Sequence, residues 1–146
     1  MFDADKVLVS VSGDESDETV VGLACNLWRK KKVEIDIVYI IEVKRALPLD
    51  AELEADTQKG EEILRRAERM VREQDCKTET ALLQAREAGP AIVQEAVDRG
   101  VDAIVLGLSH KARFGKYATN DTVDYVLKNA PCHVMVYRSP VSEKPA

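Results

Sequence analysis

Val101-Asp102-Ala103-Ile104-Val105-Leu106-Gly107 is an apolar run that stops at a glycine, and this run, with the helix and strand beyond it, decides how the chain folds. Val101 to Leu106 reads as a buried strand, because its apolar residues stand mostly on successive positions and not on alternate ones. A loop of about a dozen residues comes next, longer than the usual connection. The spacing then predicts a helix near Asn120 to Asn129, with Val123, Val126 and Leu127 facing inward, broken by Ala130-Pro131. His133 to Tyr137 reads as the next strand. Strand, helix and strand in this order make a βαβ unit with parallel strands.

Upstream, the same alternation recurs. Lys6-Val7-Leu8-Val9-Ser10-Val11 is a buried strand stopped by Ser12-Gly13. Asp14, Glu15, Ser16, Asp17 and Glu18 crowd a helix start, where Ser16 suits the N-cap and acids suit the positive end of the helix dipole. Val20, Ala24, Leu27 and Trp28 repeat at helical spacing, and Val33 to Ile41 is a second strand. A long amphipathic helix is predicted over Ala51 to Gln74, with Ile63, Leu64, Ala67, Met70 and Val71 on one face. Thr78 to Ala85 is a third strand. Pro90 suits a helix opening, Ile92, Val93, Ala96 and Val97 face the core, and Gly100 ends that helix.

The expectation is an α/β fold. It is an open, five-stranded, mostly parallel sheet with helices on both faces, Rossmann-like, in a single domain over 1–146 whose last residues, 139–146, form a flexible tail. In such a sheet a ligand lies beyond the carboxyl ends of the strands, at the point where strand order reverses. That directs attention to Ser12-Gly13, Ile40-Ile41 and the loop after Gly107.

Composition narrows the function. The net charge of −5 argues against nucleic acid as a partner, since a phosphate backbone wants a basic face. The best apolar stretch, Val33 to Val43, holds Glu34, Asp36 and Glu42 and is too short and too charged to enter a membrane. The first residues lack the basic and apolar regions of a signal peptide. Cys25, Cys76 and Cys132 have neither metal-ligand spacing nor a disulfide pattern, which fits reduced thiols in a cytoplasm. Cys25 and Cys132 read as small core residues, and Cys76 as exposed. His110 and His133 are the only histidines, and neither joins a catalytic constellation. No catalytic residue and no metal site are expected, so the chain is not read as an enzyme.

The loop from Gly107 to Thr122 carries His110, Lys111, Arg113 and Lys116 and is the most basic segment of an acidic chain. It joins a strand end to a helix start, where backbone N–H groups can hold an anion. Two readings stand side by side: a phosphate cradle, or a solvated basic loop.

From Gly107 onward the chain resembles the universal stress protein family. The family pattern is a Gly, two residues, a Gly, nine residues, then Gly-Ser or Gly-Thr, a helix and a closing Ala-Pro-Cys-x-Val. This chain keeps that spacing through Ala130-Pro131-Cys132-His133-Val134, and Lys6-Val7-Leu8-Val9 and Val101 to Gly107 look like the family's first and fourth strands. The resemblance covers about residues 5 to 138. The site departs from the pattern. The second Gly falls on His110, the Gly-Ser pair on Asn120-Asp121, and the Asp that usually ends the first strand on Ser12; Gly107 alone survives. Asp121 sets a carboxylate where phosphates would lie, while Asn120 is a residue that tolerates left-handed geometry in place of Gly.

The resemblance implies a stress-response regulator with a weak site for ATP or AMP, with Mg²⁺ if ATP. Its candidate residues are Ser12, Gly13, Ile40, Gly107, Ser109, His110, Arg113, Asn120, Asp121 and Thr122. Ile40 would pack on the base, Gly107 would admit close backbone approach, and His110, Arg113 and the N–H groups of Asn120 and Asp121 would meet phosphate. It also implies a homodimer through the last strand, where Val134, Met135, Val136 and Tyr137 are apolar on successive positions. The alternative is a dimeric docking module that acts through protein partners without nucleotide.

Overall fold

The apolar runs become strands and the amphipathic stretches between them become helices. The computed structural model describes residues 2–29, 32–108 and 120–140. In chain order the elements are β1 (Lys6–Val11), α1 (Asp17–Leu27), β2 (Glu34–Glu42), α2 (Glu54–Glu73), β3 (Thr80–Ala85), α3 (Ala88–Arg99), β4 (Ala103–Leu108), α4 (Asp121–Asn129) and β5 (His133–Arg138). β1 has the predicted bounds, the other strand boundaries sit no more than two residues from those predicted, and α2 starts three residues later than Ala51.

The five strands form one sheet in the order β3-β2-β1-β4-β5, and every ladder is parallel. Strand order reverses at β1, because the chain first builds outward to β3 and then crosses back to β4. Helices α1 and α2 cover one face with Val7, Val9, Ile35, Ile37 and Val105. Helices α3 and α4 cover the other with Leu8, Val38, Ile104 and Leu106. Burial on both faces is why β1 reads as a continuous apolar run.

Two helix positions differ from expectation. Val97 and Leu127 are 53% and 54% exposed, not inward. Consecutive helix residues point about 100° apart. With Ala96 and Val126 buried, the next residue on each helix is turned to solvent. Gly100 ends α3 in the left-handed conformation at φ 64°, as its position required. Ser16 precedes α1 but makes no side-chain cap; it is buried, and its hydroxyl donates to Asp14 instead. Cys25 is in the core, while Cys76 and Cys132 are each half-buried.

At the amino ends of the strands a buried charge is paired. Asp36, fully buried, accepts from Arg99 Nη1 at 2.7 Å and from the Glu79 N–H at 3.2 Å. Arg99 also donates through Nε to Glu95 at 2.9 Å. The carboxylates of Glu34, Asp36 and Glu79 lie within 4.8 Å of one another; Arg99 pairs with Asp36 and Glu79, and Lys6 with Glu34 at 3.7 Å. Hydrogen bonding to Asp36, with some burial, lifts the Glu34 carboxyl above its ordinary value. Nearby, Trp28 is buried, its indole N–H donates to the Phe2 carbonyl at 3.0 Å, and the Phe2 ring stacks on His133 at 3.8 Å between centroids.

Gly107 is a close-packing residue. A Cβ there would lie 2.3 Å from Ser16 Oγ and 2.9 Å from Val20 Cγ2, so its missing side chain lets α1 dock on β4. Gly107→Ala is therefore expected to destabilise the fold by about 1–3 kcal/mol, the usual cost of overpacking, read as a lower urea midpoint. Arg99→Met leaves Asp36 buried without its cation and is expected to cost about 3–5 kcal/mol. An unchanged midpoint for either variant would contradict the packing described.

Candidate functional site

Five separate stretches meet at the carboxyl ends of β1 and β4. There a crevice of about 300 Å³ is lined by Ser10, Ser12, Asp14, Ile40, Glu42, Gly107, Asn120 and Thr122, with Ile92, Leu106 and Val123 among its apolar walls. The crevice lies at the strand-order reversal, where an open α/β sheet holds its ligands. Its volume is at the small end for a small-molecule site.

The β1–α1 loop owes its shape to two carboxylates. Asp17 accepts from the N–H groups of Ser12 at 3.0 Å and Gly13 at 2.7 Å. Burial raises the Asp17 pKa, and these two bonds partly offset the rise. Asp14 accepts from the Ser12 hydroxyl at 2.9 Å and from the Ser16 N–H at 2.8 Å. Gly13 takes φ 88°, a left-handed conformation that glycine adopts without strain.

Asn120 does not take the left-handed geometry that would stand in for glycine. Its φ of −120° and ψ of 170° are extended, and its side chain accepts from the Val123 N–H at 2.8 Å as the cap of α4. The chain itself thus occupies one donor of the helix start that an anion could have used. Asp121 is exposed in the first turn of α4, where its charge complements the helix dipole, and it is absent from the crevice lining.

Of the sequence candidates, the structure brings Ser12, Ile40, Gly107, Asn120 and Thr122 into one crevice. Gly13 faces a second cavity of about 420 Å³ on the opposite side of β1, walled by Asp14, Asp17, Glu18 and Arg66 with Ile63 and Met70 beneath. Glu18 and Arg66 pair across it at 3.3 Å. Ser109, His110 and Arg113 lie outside the described residues. Val134, Met135, Val136 and Tyr137 lie on β5, which is an edge strand, and Val136 is 37% exposed.

Two charged residues of the crevice are not among the sequence candidates. Asp14 reads from the sequence as a helix-start acid, and the structure shows it reaching back to Ser12. Glu42 is the last residue of β2 and accepts from the Ala88 N–H at 3.0 Å. The available signal is position, since Glu42 stands directly after Ile40-Ile41 at a carboxyl strand end. Among the described lining residues, the charged groups are these two carboxylates.

Comparison with known proteins agrees with this architecture. The sequence model of the universal stress protein family matches residues 4–138. Universal stress protein MJ0531 of Methanocaldococcus jannaschii is 26% identical over 144 residues, covering 94% of this chain and 84% of its own. The universal stress protein of Archaeoglobus fulgidus, solved in complex with dAMP, superposes with a TM-score of 0.70 at 22% identity, over 90% of this chain and 95% of that one. A universal stress protein solved in complex with cAMP gives a TM-score of 0.72 at 15% identity, over 92% and 97% of the two chains. Family match, parallel five-stranded order and crevice position agree, and the chain belongs to the universal stress protein family.

Proposed function

We propose that this chain is a non-catalytic regulator of the stress response whose crevice holds an adenine nucleotide weakly. The observation that carries the reading is the convergence of Ser12, Ile40, Gly107, Asn120 and Thr122 on one crevice at the strand-order reversal. The solved relatives that hold dAMP and cAMP support the class of ligand. Ile40 offers an apolar surface to a base, and Ser12 and Thr122 offer hydroxyls to a sugar.

The same crevice favours a small anionic load. Asp14 and Glu42 repel added phosphate charge, and the Asn120 cap withholds a helix N–H. A monophosphate is therefore the preferred ligand, with ATP and Mg²⁺ bound less well. Both carboxylates accept hydrogen bonds from the chain's own groups, which supports binding over general-base catalysis.

We propose further that the protein is a cytoplasmic homodimer joined through β5. The support is an apolar strand at the sheet edge with Val136 exposed. No helix among the described residues is long and apolar enough to cross a membrane. The carboxylates of the crevice favour a second reading, a dimeric docking module that acts on protein partners without nucleotide.

Titration calorimetry on nucleotide-stripped protein separates the two readings. Stoichiometric binding of AMP, with ATP about tenfold weaker (~1.4 kcal/mol), supports the nucleotide site. No heat and no thermal stabilisation at millimolar nucleotide leaves the docking module. Glu42→Gln, which removes one of the two repelling charges of the crevice, is expected to strengthen ATP binding. For the dimer, light scattering is expected to give twice the chain mass, and Val136→Lys to return it to one. A wild-type monomer would end the dimer proposal.

A further inference from the structure

Among the described residues, two of the three cysteines share one core cluster and the third does not. Cys25 sits in α1, 3% exposed, packed with Val21, Ala24 and Trp28. Cys76 sits in the turn between α2 and β3 and packs against that same cluster while staying partly exposed. Cys132 packs on the opposite side of the sheet, against the cluster under α3 and α4.

The turn holds Cys76 in place. Asp75 takes a left-handed φ of 61°, the Cys76 N–H donates to the Val71 carbonyl at 3.2 Å, and its thiol donates to the Gln74 carbonyl at 3.6 Å. Val71 is itself fully buried in the shared cluster, so the turn is anchored to the core. The two thiols also interact. Burial pushes the Cys25 thiol up to about 11, and its proximity and hydrogen bonding to the Cys76 thiol add to the rise.

We propose that Cys25 and Cys76 are a dithiol site that closes to a reversible disulfide when the protein meets a peroxide. Cys76 is the sulfur that solvent-borne oxidant reaches, and Cys25 is the resolving sulfur kept in reserve beneath it. In the first step the Cys76 thiolate attacks a peroxide oxygen. The O–O bond breaks, the departing hydroxide takes up a proton, and Cys76 becomes a sulfenic acid. In the second, the Cys25 sulfur attacks the Cys76 sulfur. The S–O bond breaks, and hydroxide leaves with the Cys25 proton as water. Two thiols are oxidised by two electrons, and one hydrogen peroxide is reduced to two waters. The protected position of Cys25 keeps it as a thiol until Cys76 has reacted. The bond would tie α1 to the α2–β3 turn, leaving Cys132 as an internal control.

The test treats the reduced protein with hydrogen peroxide, removes the oxidant with catalase, unfolds the chain in guanidinium chloride and alkylates the remaining thiols with N-ethylmaleimide. Intact mass and a non-reducing peptide map are then read. The expected product is a chain lighter by two hydrogens that carries one maleimide, with a peptide pair joining Cys25 to Cys76. Dithiothreitol should release the Cys25 and Cys76 thiols. Cys132→Ser should leave the bond unchanged, and Cys25→Ala and Cys76→Ser should each abolish it. If Cys25→Ala does not fold, Cys76→Ser at the partly exposed turn decides. Three alkylated thiols after peroxide, bonds only between chains, or Cys76 driven to sulfinic acid with Cys25 still free would each overturn the proposal.

Discussion

Strand β1 is paired on both edges and covered on both faces, which leaves its central residues no solvated side. Val7, Leu8 and Val9 have no exposed surface at all. Each such side chain contributes about 1.5–3 kcal/mol on burial, and none can be made polar without a partner. The remaining elements answer to that constraint. Helices α1 and α2 must close one face, α3 and α4 the other, and the chain must cross the sheet between β3 and β4 to achieve both. The crossing creates the reversal of strand order, and the reversal leaves a gap beyond Val11 and Leu106 that no helix among the described residues fills. The crevice is thus a by-product of covering β1.

The polar groups divide by end of sheet. At the amino ends, Asp36 and Arg99 form a buried pair that joins β2 to α3. Pairs of this kind add little net stability and are costly to break, so their effect is to make one register of helix on sheet the acceptable one. At the carboxyl ends, Asp17 and Asp14 commit their lone pairs to the loop that leaves β1. The loop is thereby shaped without a ligand, and its carboxylates lie where many nucleotide sites keep glycine or a cation.

The fold was legible from the sequence because the double burial of its central strands writes continuous apolar runs, and Gly100 and Ala130-Pro131 mark helix ends. Val97 and Leu127 mislead because an apolar residue beside a buried one on a helix looks like core until the neighbouring helix is placed. Ser12, Ile40, Gly107, Asn120 and Thr122 could be grouped because family spacing and the strand-end rule both pointed to them. Asp14 and Glu42 could not, since a carboxylate near a strand end looks like solvated surface until its hydrogen-bond partner, Ser12 or Ala88, is located. Sequence alone ties Gly107 to ligand approach, whereas its packing against Ser16 and Val20 supplies a second reason for glycine there.

The chain has one tryptophan, and its place decides what optical methods can see. Trp28 caps the far end of α1, buried and bonded to Phe2, at the opposite end of the sheet from the crevice. Its emission therefore reports on whether the amino-terminal segment is docked and the core intact. It lies too far from Ser12 and Ile40 to be touched by anything bound between them. A fluorescence signal that stays constant on adding a ligand would describe the distance of the indole from the site, not the absence of binding.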